Sequence, residues 1–385
     1  MQHLSSVGAG LIEGISCVEA SMVGTYAYVF SHDGITLLWA VLLPFLFWPF
    51  IEVGSSYVGA RSHRRFLDLM QAESGPAAAS VAGFSLLVSS VSAMVVEVIA
   101  ASIALSYAVG VGWIFLVPAV LSILFFVPTV SGKHWELLTL LGSVPMLAFP
   151  AVAYLRLSSQ PSLLSGALSG LFAPKLSSAR AEDVAAILGA TVAPDALFFS
   201  EEAGAEGRVG EGGIGLGHAL ALVMAISLAV AFSSSGVALS QNSLRGIGIS
   251  LVPILGSYAY PVFSIGLFSS CISAFAVALR PWLSSLAYLT DNAPTKEEEF
   301  LLPTMVLVGG IVFFVGLLGN WVSSVFFLAT YDSGIASAAG LIFPLALISK
   351  YVVSKKDVPF SVRLFLPIYA GVLLFFCAYG LICGL

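Results

Sequence analysis

Hydrophobic residues in this chain fall in long blocks separated by short polar breaks. They do not form the stripe of an amphipathic helix or the alternation of a half-buried strand. A helix needs about 20 apolar residues to cross the hydrocarbon core of a bilayer. Against that length, the pattern predicts eleven spanning helices, over 8–30, 35–58, 80–108, 111–129, 135–157, 183–203, 214–239, 250–279, 302–319, 322–350 and 361–384. The longest link, Ser158 to Glu182, carries Pro161, Pro174 and several serines and reads as a loop. Two blocks are interrupted near their middles. The first holds Glu19 between Ser16 and Ser21, and the sixth holds Asp195 directly after Pro194. Charge in lipid is costly, so an acid at that depth is a candidate functional group. Serine and proline weaken the helix around it, and discontinuous helices build midplane substrate sites in secondary transporters.

Composition places the chain in the membrane. Hydrophobic residues make up 58% and charged residues 9%, where a soluble protein carries roughly 25% charge. The four cysteines, Cys17, Cys271, Cys377 and Cys383, all lie in apolar segments without CxxC or Cys/His spacing. Neither a disulfide framework nor a thiolate metal site is indicated. The amino terminus lacks a basic region, so Leu11 onward reads as a first span instead of a cleaved signal. Lysine and arginine orient the bundle, because they concentrate on the cytoplasmic side. With the amino terminus inside, eleven of them face inward and Arg156, Lys175, Arg180 and Arg245 face outward. The run Lys296-Glu297-Glu298-Glu299 reads as a solvated loop before a helix.

The first five segments and the next five lie on each other in order, each set opening with an interrupted segment that carries an acid. An odd number of spans per set inverts the second relative to the first, and inverted repeats place the site between their broken helices. The expected division is a first repeat over 1–157, an extracellular loop over 158–182, a second repeat over 183–350, and an eleventh span within 351–385.

Several segments resemble the Nramp family of proton-coupled divalent-metal transporters. In the sixth, Gly189-Ala190-Thr191-Val192-Ala193-Pro194-Asp195 resembles the family's Gly-Ala-Thr-Val-Met-Pro-His. In the third, Val96-Glu97-Val98 followed by Ser102-Ile103-Ala104-Leu105 resembles a stretch with a glutamate on the proton route. Leu37-Leu38-Trp39 opens the second segment as the family's Leu-Leu-Trp does, and Phe343-Pro344-Leu345 lies near a family pattern in the tenth. The resemblance implies an all-α integral membrane protein of the LeuT type, with discontinuous helices one and six. It also departs from the family at the site. The family's Asp-Pro-Gly-Asn reads Glu19-Ala20-Ser21-Met22, and its Met-Pro-His reads Ala193-Pro194-Asp195.

These departures change the expected ion. Thioethers favour soft transition metals, while oxygen donors suit Mg²⁺, Ca²⁺ and Mn²⁺. Position 193 loses a methionine and position 195 gains an aspartate. Mg²⁺ dehydrates reluctantly and is held by one or two carboxylates with retained water. The expected donors are Glu19 and Asp195, with backbone carbonyls at Ser16, Cys17 and Val192, Met22 one helical turn from Glu19, and Asp332 in the tenth segment, which it interrupts. Structural alternatives stay open: Glu19 as a protonated acid bonding a freed carbonyl, Asp195 as a helix cap, and Met22 as an apolar residue facing lipid or core. Glu97 and Glu52 are candidates for a proton route or for interhelical anchors, and His32 and His218 read as isolated interfacial residues.

The sequence thus predicts a multi-pass cell-membrane importer of a hard divalent cation, Mg²⁺ before Mn²⁺, with no resident cofactor and no nucleic-acid partner. A monomer suffices for such a site. A carrier of an organic cation or amino acid on the same fold is the alternative. An intramembrane protease is disfavoured, because Tyr331-Asp332 lacks the Gly-x-Gly-Asp partner and no HExxH occurs.

Overall fold

The protein is described by a computed structural model over residues 18–62, 66–129, 144–174, 181–192, 197, 211–233, 244–290, 299–317 and 322–384. Regular structure among these residues is helical throughout. Five stretches are long and apolar enough to cross a membrane: Ala20–Ala60, Pro76–Val109, Val252–Leu289, Thr330–Val353 and Phe360–Ile382.

Helix α1 (Ala20–Asp33) turns through a 3-10 segment, Gly34–Leu37, into α2 (Leu38–Ser62). The reversal needs Gly34, whose φ of 61° is closed to most side chains. A short amphipathic helix, α3 (Phe66–Ser74), then leads to α4 (Pro76–Val109) and α5 (Trp113–Thr129). Proline at the first turn of α4 is pre-set for a helix start, and Gly110 ends it left-handed with its N–H on the Ser106 carbonyl.

Helix α6 (Ala148–Ser159) completes the fifth predicted segment and is followed at once by α7 (Pro161–Phe172). The Ser158–Glu182 link is therefore partly helical, not a loop; Pro161 starts the new helix instead of ending structure. Helices α8 (Ala181–Thr191) and α9 (Glu211–Ser233) follow. The predicted eighth segment begins too early. Just before it lies a short turn, α10 (Leu244–Ile249), its first residues form another, α11 (Val252–Leu255), and the long helix is α12 (Ala259–Leu289). Positive φ at Gly256 breaks the chain between them. The chain ends with α13 (Leu301–Leu317), α14 (Val322–Val353) and α15 (Phe360–Gly384). Asp332 does not interrupt its segment: α14 runs through it unbroken.

Small residues govern the packing. Without a hydrophobic driving force between helices in lipid, close backbone approach and interhelical hydrogen bonds must supply cohesion. The buried face of α4 is rich in alanine and serine, and α12 lies along it. Helices α8 and α14 touch backbone to backbone: a Cβ on Gly189 would stand 1.9 Å from the Gly334 carbonyl oxygen and 2.4 Å from the Ala338 nitrogen. Helix α1 packs against α14, α9 and α8, which puts its buried face at the centre of the bundle.

Candidate functional site

The two expected breaks coincide with helix ends. Helix α1 begins at Ala20, and Glu19 precedes it in extended backbone, with φ −85° and ψ 175°. Helix α8 ends at Thr191, and Val192 is a bend whose N–H still reaches the Leu188 carbonyl. Met22, expected in the unwound part, lies in the first turn of α1 and is fully buried.

Glu19 sits at the N-cap position of α1, but its side chain makes no cap hydrogen bond. Its carboxylate accepts the Ser21 hydroxyl instead. It is also only partly buried, while Val18 and Ala20 beside it have no exposed surface. A carboxylate oriented by a neighbouring hydroxyl and open on one side can receive a cation.

A hydrogen bond ties the two helix ends together. The Tyr26 hydroxyl lies 2.9 Å from Thr191 Oγ1, and Thr191 Oγ1 donates to the Ile187 carbonyl at 2.6 Å. Since the threonine proton is used within its own helix, Tyr26 is the donor. Side chains on a helix lean toward its amino terminus, so Tyr26 reaches back down α1 to the last residue of α8. Two further bonds join α1 and α8 to α14. Thr25 Oγ1 donates to the Thr330 carbonyl at 2.9 Å, and the Tyr331 hydroxyl to Asp183 Oδ1 at 2.9 Å.

Of the other candidates, Val192 is buried at the end of α8, while Asp332 is exposed on α14 and away from this group. Among the described residues of α14, the buried polar ones are Thr330, Ser333, Ser337 and Ser349. Ser16 and Asp195 lie outside the described residues. Glu97 is buried in α4, and the Cys271 thiol of α12 lies within electrostatic reach of both Glu97 and Glu19. The neighbourhood of Glu19 thus includes a thiol that spacing rules, which look for paired cysteines, could not find. Among the described residues no three His, Cys, Asp or Glu side chains are grouped to hold a metal ion.

Glu52 is buried in α2 and accepts the Trp48 indole N–H at 2.6 Å. His218 is not an isolated interfacial residue. Its Nε2 lies 3.4 Å from Glu52 Oε1, its side chain is 10% exposed, and its ring stands edge-on to Trp48. The sequence signal was Trp48 four residues before Glu52, one helical turn; the histidine that joins them from α9 leaves no local trace. His32 is exposed at the end of α1.

Comparison with known proteins identifies the family and the fold. The model of the family described as natural resistance-associated macrophage protein-like, Nramp, matches residues 10–280. A metal transporter, Nramp6.2 of Populus trichocarpa, is 25% identical over 294 residues, which are 70% of this chain and 54% of the relative. The chain spans about half the length of that curated relative. The manganese transporter of Eremococcus coleocola, solved with an aromatic bis-isothiourea compound, superimposes with a TM-score of 0.73 at 13% identity, over 97% of this chain and 85% of that one. MhsT, solved with L-phenylalanine, gives 0.65 at 14% identity, over 96% and 98%. The fold is the helical one shared by Nramp and LeuT-type transporters.

Proposed function

Because the chain belongs to the Nramp family, whose members are transporters and not enzymes, we propose that it is a secondary transporter importing a hard divalent cation, Mg²⁺ before Mn²⁺. The cation binds between the ends of α1 and α8, in a cell-membrane protein of two inverted five-helix repeats with its amino terminus in the cytoplasm. The observation that carries this reading is the Tyr26–Thr191 bond, which holds the end of α8 against α1 just above the partly open Glu19 carboxylate.

Glu19 and Asp195 supply the charge that neutralises the ion, and the Val192 and Ser16 carbonyls supply neutral oxygen. Asp332 is left out because it is exposed. Met22 is left out because its side chain is fully buried in the core. Hard oxygen donors then dominate, which favours Mg²⁺ and Mn²⁺ over Cd²⁺. Glu97 and Glu52 are the buried acids available to a coupled proton.

Uptake into proteoliposomes, with Mg²⁺, Ca²⁺, Mn²⁺, Cd²⁺ and Zn²⁺ in competition, tests the proposal. Mg²⁺ and Mn²⁺ compete with each other, and Cd²⁺ competes weakly. Strong Cd²⁺ preference with Mg²⁺ excluded overturns the hard-donor site and turns attention to Cys271 as a sulfur donor.

A further inference from the structure

Glu52 and His218 lie on different helices, α2 and α9, and meet inside the bundle. Glu52 is ten residues from the end of α2 at Ser62, and His218 seven from the start of α9 at Glu211. At 1.5 Å per residue these are about 15 Å and about 10 Å from the ends that face the cytoplasm in the proposed orientation. Glu52 is also fourteen residues along α2 from Leu38, as Glu19 is fourteen before the end of α1 at Asp33, so the pair lies within the membrane near the depth of Glu19. Glu52 Oε1 takes the Trp48 N–H and the His218 contact, while Oε2 is buried with no hydrogen-bond partner.

That arrangement constrains the charge. An ionised Glu52 with neutral His218 leaves a buried net charge and an unsolvated oxygen, which is costly at this depth. One added proton, on either Glu52 or His218, makes the pair neutral overall. A second makes it cationic. The pair therefore holds one proton while buried, and releases it when a change of shape admits water.

The charged groups named on surrounding helices are bonded elsewhere or lie on another side of α2. On α6, Arg156 donates to the Ala231 carbonyl near the far end of α9. On α14, Lys350 bonds to the Glu73 carbonyl and Ser74. On α15, Arg363 follows Val362, which faces Gly54; two residues are about 200° of turn, so this is the opposite side of α2 from Glu52. On α8, Asp183 is bound to Tyr331, and on α1 Tyr26 is bound to Thr191.

We propose that Glu52 and His218 form a proton-binding site distinct from the cation site, and that its proton travels with the transported cation. The second part rests on the transport reading above. It goes beyond that reading by giving the proton a histidine, the side chain that titrates near neutrality, on a helix where the sequence indicated none.

Mn²⁺ uptake and lumenal acidification, followed together in proteoliposomes across external pH, test it. The wild type takes up protons with Mn²⁺. His218→Gln and Glu52→Gln lower the proton-to-Mn²⁺ ratio at least about tenfold and flatten the pH profile. Trp48→Phe removes one hydrogen-bond donor from the Glu52 carboxylate and moves the pH midpoint of coupled uptake. Since it keeps a ring against His218, it also serves where the other two variants fail to fold. Wild-type Mn²⁺ uptake without proton movement, an unchanged ratio in the folded glutamine variants, or an unmoved midpoint in Trp48→Phe overturns the proposal. If the wild type carries no Mn²⁺, the transport reading fails by itself, and infrared titration of the pure protein decides the proton site. A carboxylic-acid band that titrates in the wild type and is missing in Glu52→Gln supports it; identical spectra overturn it.

Discussion

Glu19 closes the amino-terminal end of α1 without using its carboxylate as a helix cap, and it remains partly open where its neighbours are sealed. A residue kept for structure alone would bond the free N–H groups of the first turn. If Glu19 and Asp195 share one ion, each is ionised when it is bound, and they repel when it leaves. Glu19→Gln and Asp195→Asn each remove one charge at nearly constant shape. Each lowers cation uptake by about tenfold or more, and the double variant is little worse than either single, because residues acting as one unit are not additive. Uptake measured across the three variants checks this. Wild-type rate and affinity in Asp195→Asn would reduce Asp195 to a helix cap. The two acids were legible in the sequence because a charge in an apolar block is conspicuous. The roles of Met22 and Asp332 were not, since they depend on which way each side chain turns: Met22 is sealed and Asp332 is exposed. His218 and Cys271 were invisible for another reason, that their partners Glu52 and Glu97 lie on other helices.

At the scale of elements, the hydrogen-bonded parts of α1, α8 and α14 form one body, and its tightest joint is the glycine contact between α8 and α14. No side chain fits at Gly189, where backbone atoms of Gly334 and Ala338 occupy the place of a Cβ. Gly189→Ala must push the helices apart, and overpacking of this kind costs typically 1–3 kcal/mol. Gly371, on α15, has nothing within 4 Å of a built Cβ, so Gly371→Ala is neutral. Thermal unfolding in detergent separates the two: a clearly lower midpoint for Gly189→Ala, and an unchanged one for Gly371→Ala. Equal midpoints would mean that the joint can open at little cost. Spanning blocks such as Pro76–Val109 and Phe360–Gly384 could be read within a few residues, because bilayer thickness fixes their length. Helix α7 could not, because its twelve residues are too short to span and its opening proline resembles a loop signal. The start of α12 was misplaced because Leu244–Leu255 is apolar without being one helix.

For the molecule as a whole, the ties Tyr26–Thr191, Thr25–Thr330 and Tyr331–Asp183 all lie on the side of Glu19 toward which α1 runs. Whether that sealed side is the outside depends on orientation, and orientation was argued from eleven basic residues against four. Import requires the seal to open outward, so the direction of transport stands on this topology. It can be tested without any transport measurement. Thr36, between α1 and α2, and Lys356, between α14 and α15, are both exposed and belong to opposite ends of the bundle. With the amino terminus inside, a membrane-impermeant maleimide added to intact cells labels Thr36→Cys above the wild-type background. It labels Lys356→Cys only after the cells are opened. The reverse pattern would place the sealed half in the cytoplasm, and the same geometry would then describe an outward-facing transporter.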